Sequence, residues 1–287
     1  MTQKILITGK NGQLGAELQD LESQFPQYEM VFLNRDQMDL SQPEKIQKIL
    51  DSVQPSIIIN AGAYTAVDKA EIEAELTNKI NHLAVKEIGV WAADHQAKVI
   101  HISTDYVFDG RSQIPLKEDD NAAPINVYGF TKLKGELALQ QSGAAFVVVR
   151  TAWVYSTYGS NFVKTMLRLM NEREEISVVN DQIGAPTYAR DLAEVIMQII
   201  QSDSYVSGVY HYTNKGKISW YDFAVAIKNI KGFSTKINAV SSEAFQTVAK
   251  RPKFSLLDTA KIEKTYQINI PYWEDSLKEM LLKVDEL

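Results

Sequence analysis

Five short runs of apolar, largely β-branched residues punctuate the first 150 positions: KILIT (4–8), EMVFL (29–33), SIIIN (56–60), KVIHIS (98–103) and FVVVR (146–150). They are uniformly apolar rather than alternating, so both faces of each strand must be covered. That requirement selects a parallel sheet with helices on either side. The covering segments lie between the runs. GQLGAELQDLES (12–23), PEKIQKILDSV (43–53) and AELTNKINHLAVKEIGVWAADH (74–95) carry helix-period apolar residues, and the segment before 146 holds another helix beginning near residue 126. Strand–helix alternation of this kind predicts an α/β fold with a doubly wound parallel sheet. Beyond residue 150 the rhythm loosens. Helices are expected at 160–171, 189–201, 219–230 and 273–284, with short strands near 176–179, 208–212 and 236–240. The expected division is a dinucleotide-type domain over 1–150 and a smaller region over 151–287, partly interleaved with it.

The first strand runs straight into TGKNGQLG, with Gly9, Gly12 and Gly15 at three-residue spacing where the helix begins. Glycine permits the sharp turn and lets a pyrophosphate approach the helix N-terminus, where free N–H groups favour an anion. A glycine-rich turn without a ligand has the same look. Its place after the first strand of an α/β sheet is what favours a dinucleotide and a Rossmann-type fold. At the end of the second strand, an acid would bind a ribose 2′-hydroxyl, whereas an arginine accommodates a 2′-phosphate. The chain reads VFLNRDQMDL there, so Asn34 and Arg35 lean toward NADPH. Asp36 beside them keeps NADH open, and Asp39 and Leu40 are placed for the adenine.

VIHISTDYVFDG (99–110) ends its strand in Ser103, Thr104 and Asp105, and strand C-termini face the ligand crevice in such sheets. NVYGFTKLKGE (126–136) then sets Tyr128 four residues before Lys132, on one helix face. A phenol titrates near 10, and a nearby cation draws it toward a useful acid–base value. Thr104, Tyr128 and Lys132 thus form a candidate proton-transfer set, although singly each has a blander reading as a strand-end cap, a ring or a solvated charge.

Together with the glycine turn, the stretches NAGAYTAVDKAE (60–71), STDYVFDG (103–110) and NDQIGAPTYARDLA (180–193) make the chain resemble the extended short-chain dehydrogenase/reductases. The likeness continues through RTAWVYS (150–156), GVYHYTN (208–214) and RPKFSLLD (251–258), nearly the whole chain. Within that family it resembles members that use NADPH to reduce dTDP-4-dehydro-L-rhamnose to dTDP-L-rhamnose, a polysaccharide precursor. The resemblance implies that Gly9, Lys10, Asn11, Gly12, Gln13 and Leu14 line the pyrophosphate, and Ala61, Gly62, Ala63 and Thr65 the middle of the cofactor. It makes Tyr128 the proton donor, Lys132 its cationic partner and ribose anchor, and Thr104 the partner of the reacting oxygen. Substrate is expected against Val67, Thr104, Asp105, Tyr128 and Trp153, with Asn161 and Arg251 toward the nucleotide. Trp153 also reads as a core aromatic, and Arg251 as a loop charge.

Some members of the family are dimers bridged by a metal between glutamates. Here Tyr188-Ala189-Arg190-Asp191 puts a cation into that stretch, so no metal site is expected, and the chain is read as a monomer or homodimer. A net charge of −6 gives no footprint for nucleic acid. The absence of cysteine excludes disulfides and thiolate metal sites and fits a cytoplasmic setting. Neither a signal peptide nor a run near the roughly 18–20 apolar residues of a membrane span is read. Two rivals remain: another nucleotide-sugar reductase or epimerase, and a non-catalytic regulatory subunit of the methionine adenosyltransferase type.

Overall fold

The computed structural model describes residues 2–245 and 247–285. Along the chain, β1 (Gln3–Thr8) leads into α1 (Gln13–Leu21), and β2 (Tyr28–Leu33) into α2 (Pro43–Val53). β3 (Ile57–Asn60) is followed by the short helices α3 (Val67–Ala70) and α4 (Ala74–Asn78), a π turn at Lys79–Leu83, and α5 (Ala84–Asp94). Next come β4 (Lys98–Thr104), a 3-10 turn at Asp105–Val107, α6 (Val127–Gln141) and β5 (Ala145–Thr151). The remainder holds β6 (Val154–Tyr155), α7 (Phe162–Glu172), β7 (Glu175–Val179), β8 (Ile183–Gly184), β9 (Thr187–Tyr188) and α8 (Ala189–Gln201). It closes with β10 (Gly208–His211), β11 (Ile218–Ser219), α9 (Trp220–Lys231), β12 (Lys236–Val240), α10 (Ala260–Tyr266) and α11 (Trp273–Asp285).

Six strands form one sheet in the order β2-β1-β3-β4-β5-β10, and every neighbouring pair is parallel. The chain steps from β1 to one side for β2 and returns to the other side for β3, opening a crevice at the strand C-termini between them. This is the doubly wound α/β sheet that the apolar runs predict. Alternate residues of each strand feed opposite cores. Ile5, Ile7, Ile57 and Ile59 pack with α1 and α8 residues such as Leu18 and Ile196, while Leu6, Ile58 and Val99 pack with Ile46 of α2 and Ile88 of α5. Buried on both faces, the strands carry no polar alternation.

A third cluster unites α7, α9, α11 and β7 around Phe223, Leu277 and Met280. β12 pairs in parallel with β7 beside it. β10 comes from beyond residue 150 and completes the main sheet against β5. α2 and α8 have the boundaries that periodicity predicts. Pro43 opens α2 where its missing N–H costs nothing, and Gln54 ends it in the left-handed region. The single helix expected over 74–95 is instead interrupted by the π turn. Among the described residues, no helix is long and apolar enough to cross a membrane.

Candidate active site

The turn after β1 is shaped by close backbone approach. Gly9 has φ +73, and a Cβ there would lie 2.8 Å from the Gly62 nitrogen. A Cβ on Gly15 would lie 2.3 Å from the Gly9 carbonyl oxygen, so neither position admits a side chain without movement. The Gly12 N–H donates to that carbonyl at 2.8 Å, and the Gly62 N–H donates to Thr8 Oγ1 at 3.0 Å, tying the turn to the end of β3. α1 starts at this turn with no side chain capping its first N–H groups. Those free donors face an opening that suits an anion. A cleft of about 650 Å³ begins here, lined by Gly9, Asn11, Gly12, Gln13 and Leu14 on one wall and Ala61, Gly62, Ala63, Thr65 and Val67 on the other.

β4 and α6 build the far end of the same cleft. Asn126 caps α6, its side-chain oxygen accepting the Gly129 N–H at 2.8 Å and its amide donating to the Lys250 carbonyl at 2.8 Å. Tyr128 and Lys132 follow one helical turn apart, and both line the cleft with Thr104 and Asp105. The Thr104 hydroxyl is held in place, accepting from the Tyr106 N–H at 3.1 Å and donating to Asp105 Oδ1 at 3.0 Å. The Tyr106 and Tyr128 rings meet nearly perpendicular, with centroids 5.6 Å apart.

Electrostatics in this corner differ from the sequence expectation in one respect. Burial pushes the Tyr128 phenol up to about 12; Asp105 adds to the shift and Thr104 opposes it. The phenol is raised even though Lys132 stands one turn away, its Nζ donating to the Ile102 carbonyl at 2.5 Å and lying 3.2 Å from His101 Nε2. Burial brings the Lys132 ammonium down to about 8, with Glu136 opposing. Asp105, 2% exposed, is pushed up to about 6 by burial, against hydrogen bonds from Ser255 and Thr104.

Trp153 also lines the cleft, with φ +50 and its ring stacked on Trp220 at 3.8 Å between centroids. A large side chain in the left-handed region is uncommon and signals a backbone held by its surroundings. Asn161 is off the cleft wall. Its Oδ1 caps α7 through the Lys164 N–H, and its amide donates to Gln13 Oε1 at 3.0 Å and the Ser156 carbonyl at 2.7 Å. Arg251 lines a neighbouring open groove of about 1130 Å³ and pairs with Asp68 at 2.6 Å. At the end of β2, Arg35 is mostly exposed, its Nε 3.7 Å from Asp39 Oδ1, while Asn34 accepts the Asp36 and Gln37 N–H groups. Leu40 is buried against Gly62, and the Lys10 N–H donates to the Leu33 carbonyl; neither lines the cleft.

Tyr106 and Trp220 line the cleft and were not singled out from the sequence. Tyr106 lies inside the STDYVFDG stretch, which is its signal. Trp220 opens α9, nearly 70 residues from the Trp153 it stacks on, and nothing local marks it. Among the described residues, no group of three or more His, Asp or Glu is placed to hold a metal ion. Arg190 is instead paired with Glu194 at 2.8 Å.

A family model described as "RmlD substrate binding domain" matches residues 3–286. The dTDP-4-dehydrorhamnose reductase of Escherichia coli strain K12 is 42% identical, with 96% of each chain covered. The chain belongs to the dTDP-4-dehydrorhamnose reductase family. The member from Aggregatibacter actinomycetemcomitans is 39% identical over 96% of this chain and 98% of its own. The crystal structure of the Bacillus anthracis member in complex with NADP is 38% identical and superposes with a TM-score of 0.94, covering 99% of this chain and 100% of that one. Likeness to the dTDP-4-dehydrorhamnose reductase family therefore includes the loosely patterned second half as well as the glycine turn.

Proposed function

We propose that this chain reduces the 4-keto group of dTDP-4-dehydro-L-rhamnose to give dTDP-L-rhamnose, using NADPH and accepting NADH less readily. The observation that carries the reading is the meeting of Thr104, Tyr128 and Lys132 at one end of a cleft whose other end is the uncapped N-terminus of α1. The cofactor fits this chain on structural grounds: the close Gly9–Gly62 approach leaves backbone donors facing the space a pyrophosphate needs. Asn11, Gly12 and Gln13 would hold that group, with Ala61, Ala63 and Thr65 along its middle. Bound NADPH supplies the hydride.

The rest is done by side chains. A phenol titrating at about 12 arrives protonated at neutral pH, as a proton donor to a forming alkoxide must. Tyr128 gives that proton to the substrate's O4. The Thr104 hydroxyl, turning its single proton away from Asp105 Oδ1, donates to the same oxygen, and the Lys132 charge steadies the phenolate left behind. Trp153 and Trp220 form an aromatic wall for the sugar, with Val67 and Asp105 beside it. Arg251, in the neighbouring groove, is assigned to the nucleotide phosphates, and Asn161 is assigned to holding the Gln13 side of the cleft. Residues 1–150 would serve mainly the cofactor and 151–287 mainly the substrate, in a cytoplasmic monomer or homodimer. The intact proton-transfer set favours an enzyme over a regulatory subunit.

The test is the fall in absorbance of reduced cofactor when purified protein meets NADPH and the dTDP-linked 4-keto-sugar. Tyr128→Phe keeps the ring and removes the acid. Its turnover is expected to drop on the order of 100-fold or more, with cofactor affinity within a few-fold of the parent. Near-parental turnover would sink the assignment.

A further inference from the structure

Within the buried sheet, three neighbouring strands place polar residues side by side. Thr8 is in register with Asn60, and Asn60 with His101, across β1, β3 and β4. All three are at most 1% exposed, and they share the sheet face of Leu6, Ile58 and Val99. Their side chains join end to end. Thr8 Oγ1, which accepts the Gly62 N–H, donates to Asn60 Oδ1 at 2.7 Å. Asn60 Nδ2 faces His101 Nδ1 at 3.0 Å, and His101 Nε2 faces Lys132 Nζ at 3.2 Å.

A neutral imidazole has one donor nitrogen and one acceptor, and an ammonium only donates. Charged Lys132 therefore needs Nε2 as acceptor. That puts the ring proton on Nδ1 and obliges Asn60 to present its oxygen. A neutral Lys132 amine accepts instead. The ring proton then sits on Nε2, Nδ1 accepts from the Asn60 amide, and every bond from Gly62 to Lys132 runs in one direction. An imidazolium fits neither arrangement, and burial together with Lys132 holds this ring well below its ordinary titration range. The other charges around the pair come from α6 and β5: Glu136, one turn beyond Lys132, is locked to Arg150.

We propose that His101 is a positioning residue for Lys132: its neutral ring moves its proton from Nδ1 to Nε2 when the lysine loses its own. The lysine's charge and the orientation of the Thr8–Asn60–His101 chain, which ends on a backbone donor of the cofactor turn, change together. The catalytic consequence rests on the reading of Lys132 as the partner of Tyr128; the ring chemistry does not.

The four histidines, His82, His95, His101 and His211, permit a direct test by nitrogen-15 NMR of histidine-labelled protein between about pH 6 and 10. His101 is expected to stay neutral, with its proton on Nδ1 below a midpoint near 8 and on Nε2 above it. In Lys132→Met one tautomer should persist throughout. A fixed tautomer in the parent, or a ring that itself becomes charged in this range, overturns the proposal. In the kinetic arm, His101→Phe removes the acceptor for the ammonium and should move the basic limb of kcat/KM about one pH unit toward acid, the order expected for a lost charge-assisted hydrogen bond. His101→Gln, whose amide offers either an oxygen or an NH2, should keep the limb in place. Superimposable limbs for the parent and His101→Phe refute the coupling. Protein that lacks reductase activity yet shows the tautomer change would retire the functional reading and leave this one standing.

Discussion

Glu136 joins the stability of the fold to the titration of its site, and Glu136→Gln tests both. The carboxylate is fully buried. It accepts Arg150 Nε at 3.0 and 3.1 Å, Arg150 Nη2 at 2.7 Å, and the Ser103 hydroxyl. The amide leaves the Arg150 guanidinium without its counter-charge in the interior. Breaking one partner of such a pair costs about 3–5 kcal/mol. At roughly 2 °C per kcal/mol for a chain of this size, the melting temperature should fall by about 6–10 °C. The second effect reaches the cleft. Glu136 opposes the burial that pulls Lys132 down to about 8, so without its charge the lysine titrates lower still. Lys132 is charged below its pKa, and the reaction needs that charge, so the basic limb of kcat/KM should move toward acid. Thermal unfolding by circular dichroism and a rate profile between about pH 6 and 9 measure the two effects. Glu136→Gln combined with Arg150→Met should cost less than the two single changes added together, because neither charge is then left alone. Additive losses, or a melting temperature within about 2 °C of the parent, would refute the buried-pair argument.

Gly15→Ala puts a methyl 2.3 Å from the Gly9 carbonyl oxygen, a backbone atom that must move; cofactor affinity by fluorescence titration should fall on the order of tenfold, or 1.4 kcal/mol, and an unchanged Kd counts against the turn. Arg35→Ala should weaken NADPH binding by about 10- to 100-fold and leave NADH nearly untouched. The low end is expected because the Arg35 side chain is 74% exposed, and equal losses for both cofactors would end its phosphate-reading role. Asp105→Asn removes a carboxyl whose Oδ2 has no hydrogen-bond partner and whose pKa burial raises to about 6. With the folded pKa above the unfolded value, the parent loses stability as pH rises from about 4 through 6. The variant should therefore be more stable at pH 7 by up to about 3 kcal/mol, at 1.36 kcal/mol per unit. That advantage should vanish below pH 4 in denaturant titrations, and its persistence there would show another cause.

The sheet was legible because its constraint is local: a strand buried on both faces is apolar along most of its length, as in Ile57–Ile59. The glycine turn was legible for the same reason, since Gly9 and Gly15 answer to atoms a few residues away and to one neighbouring strand. The π turn was not. One extra residue in a helical turn hardly disturbs an apolar period, yet it accompanies an Asn81 side chain that clasps the Tyr64 backbone at 2.8 and 3.0 Å. Asn161 carried a local signal, an asparagine just before a helix, which marks a cap. Arg251 was harder, because its partner Asp68 lies 183 residues earlier in the chain. Lys132 was found by spacing, but the direction of its ammonium depends on a histidine two strand positions before Ser103.

β10 has a consequence for synthesis. Residues 208–211 are the edge of the main sheet, hydrogen-bonded along β5, whose own last residue is Thr151. While the ribosome is still adding the intervening segment, β5 presents an unpaired row of N–H and C=O groups, the kind of edge that recruits stray strands. At about 5–20 residues per second, the roughly 60 residues between them take about 3–12 s to emerge. A fragment stopped at residue 150 keeps that edge open permanently, and lacks α8, whose Leu192 and Ile196 cover one face of the same sheet. Such a fragment should aggregate during expression, and the nascent chain should need a chaperone until β10 is made.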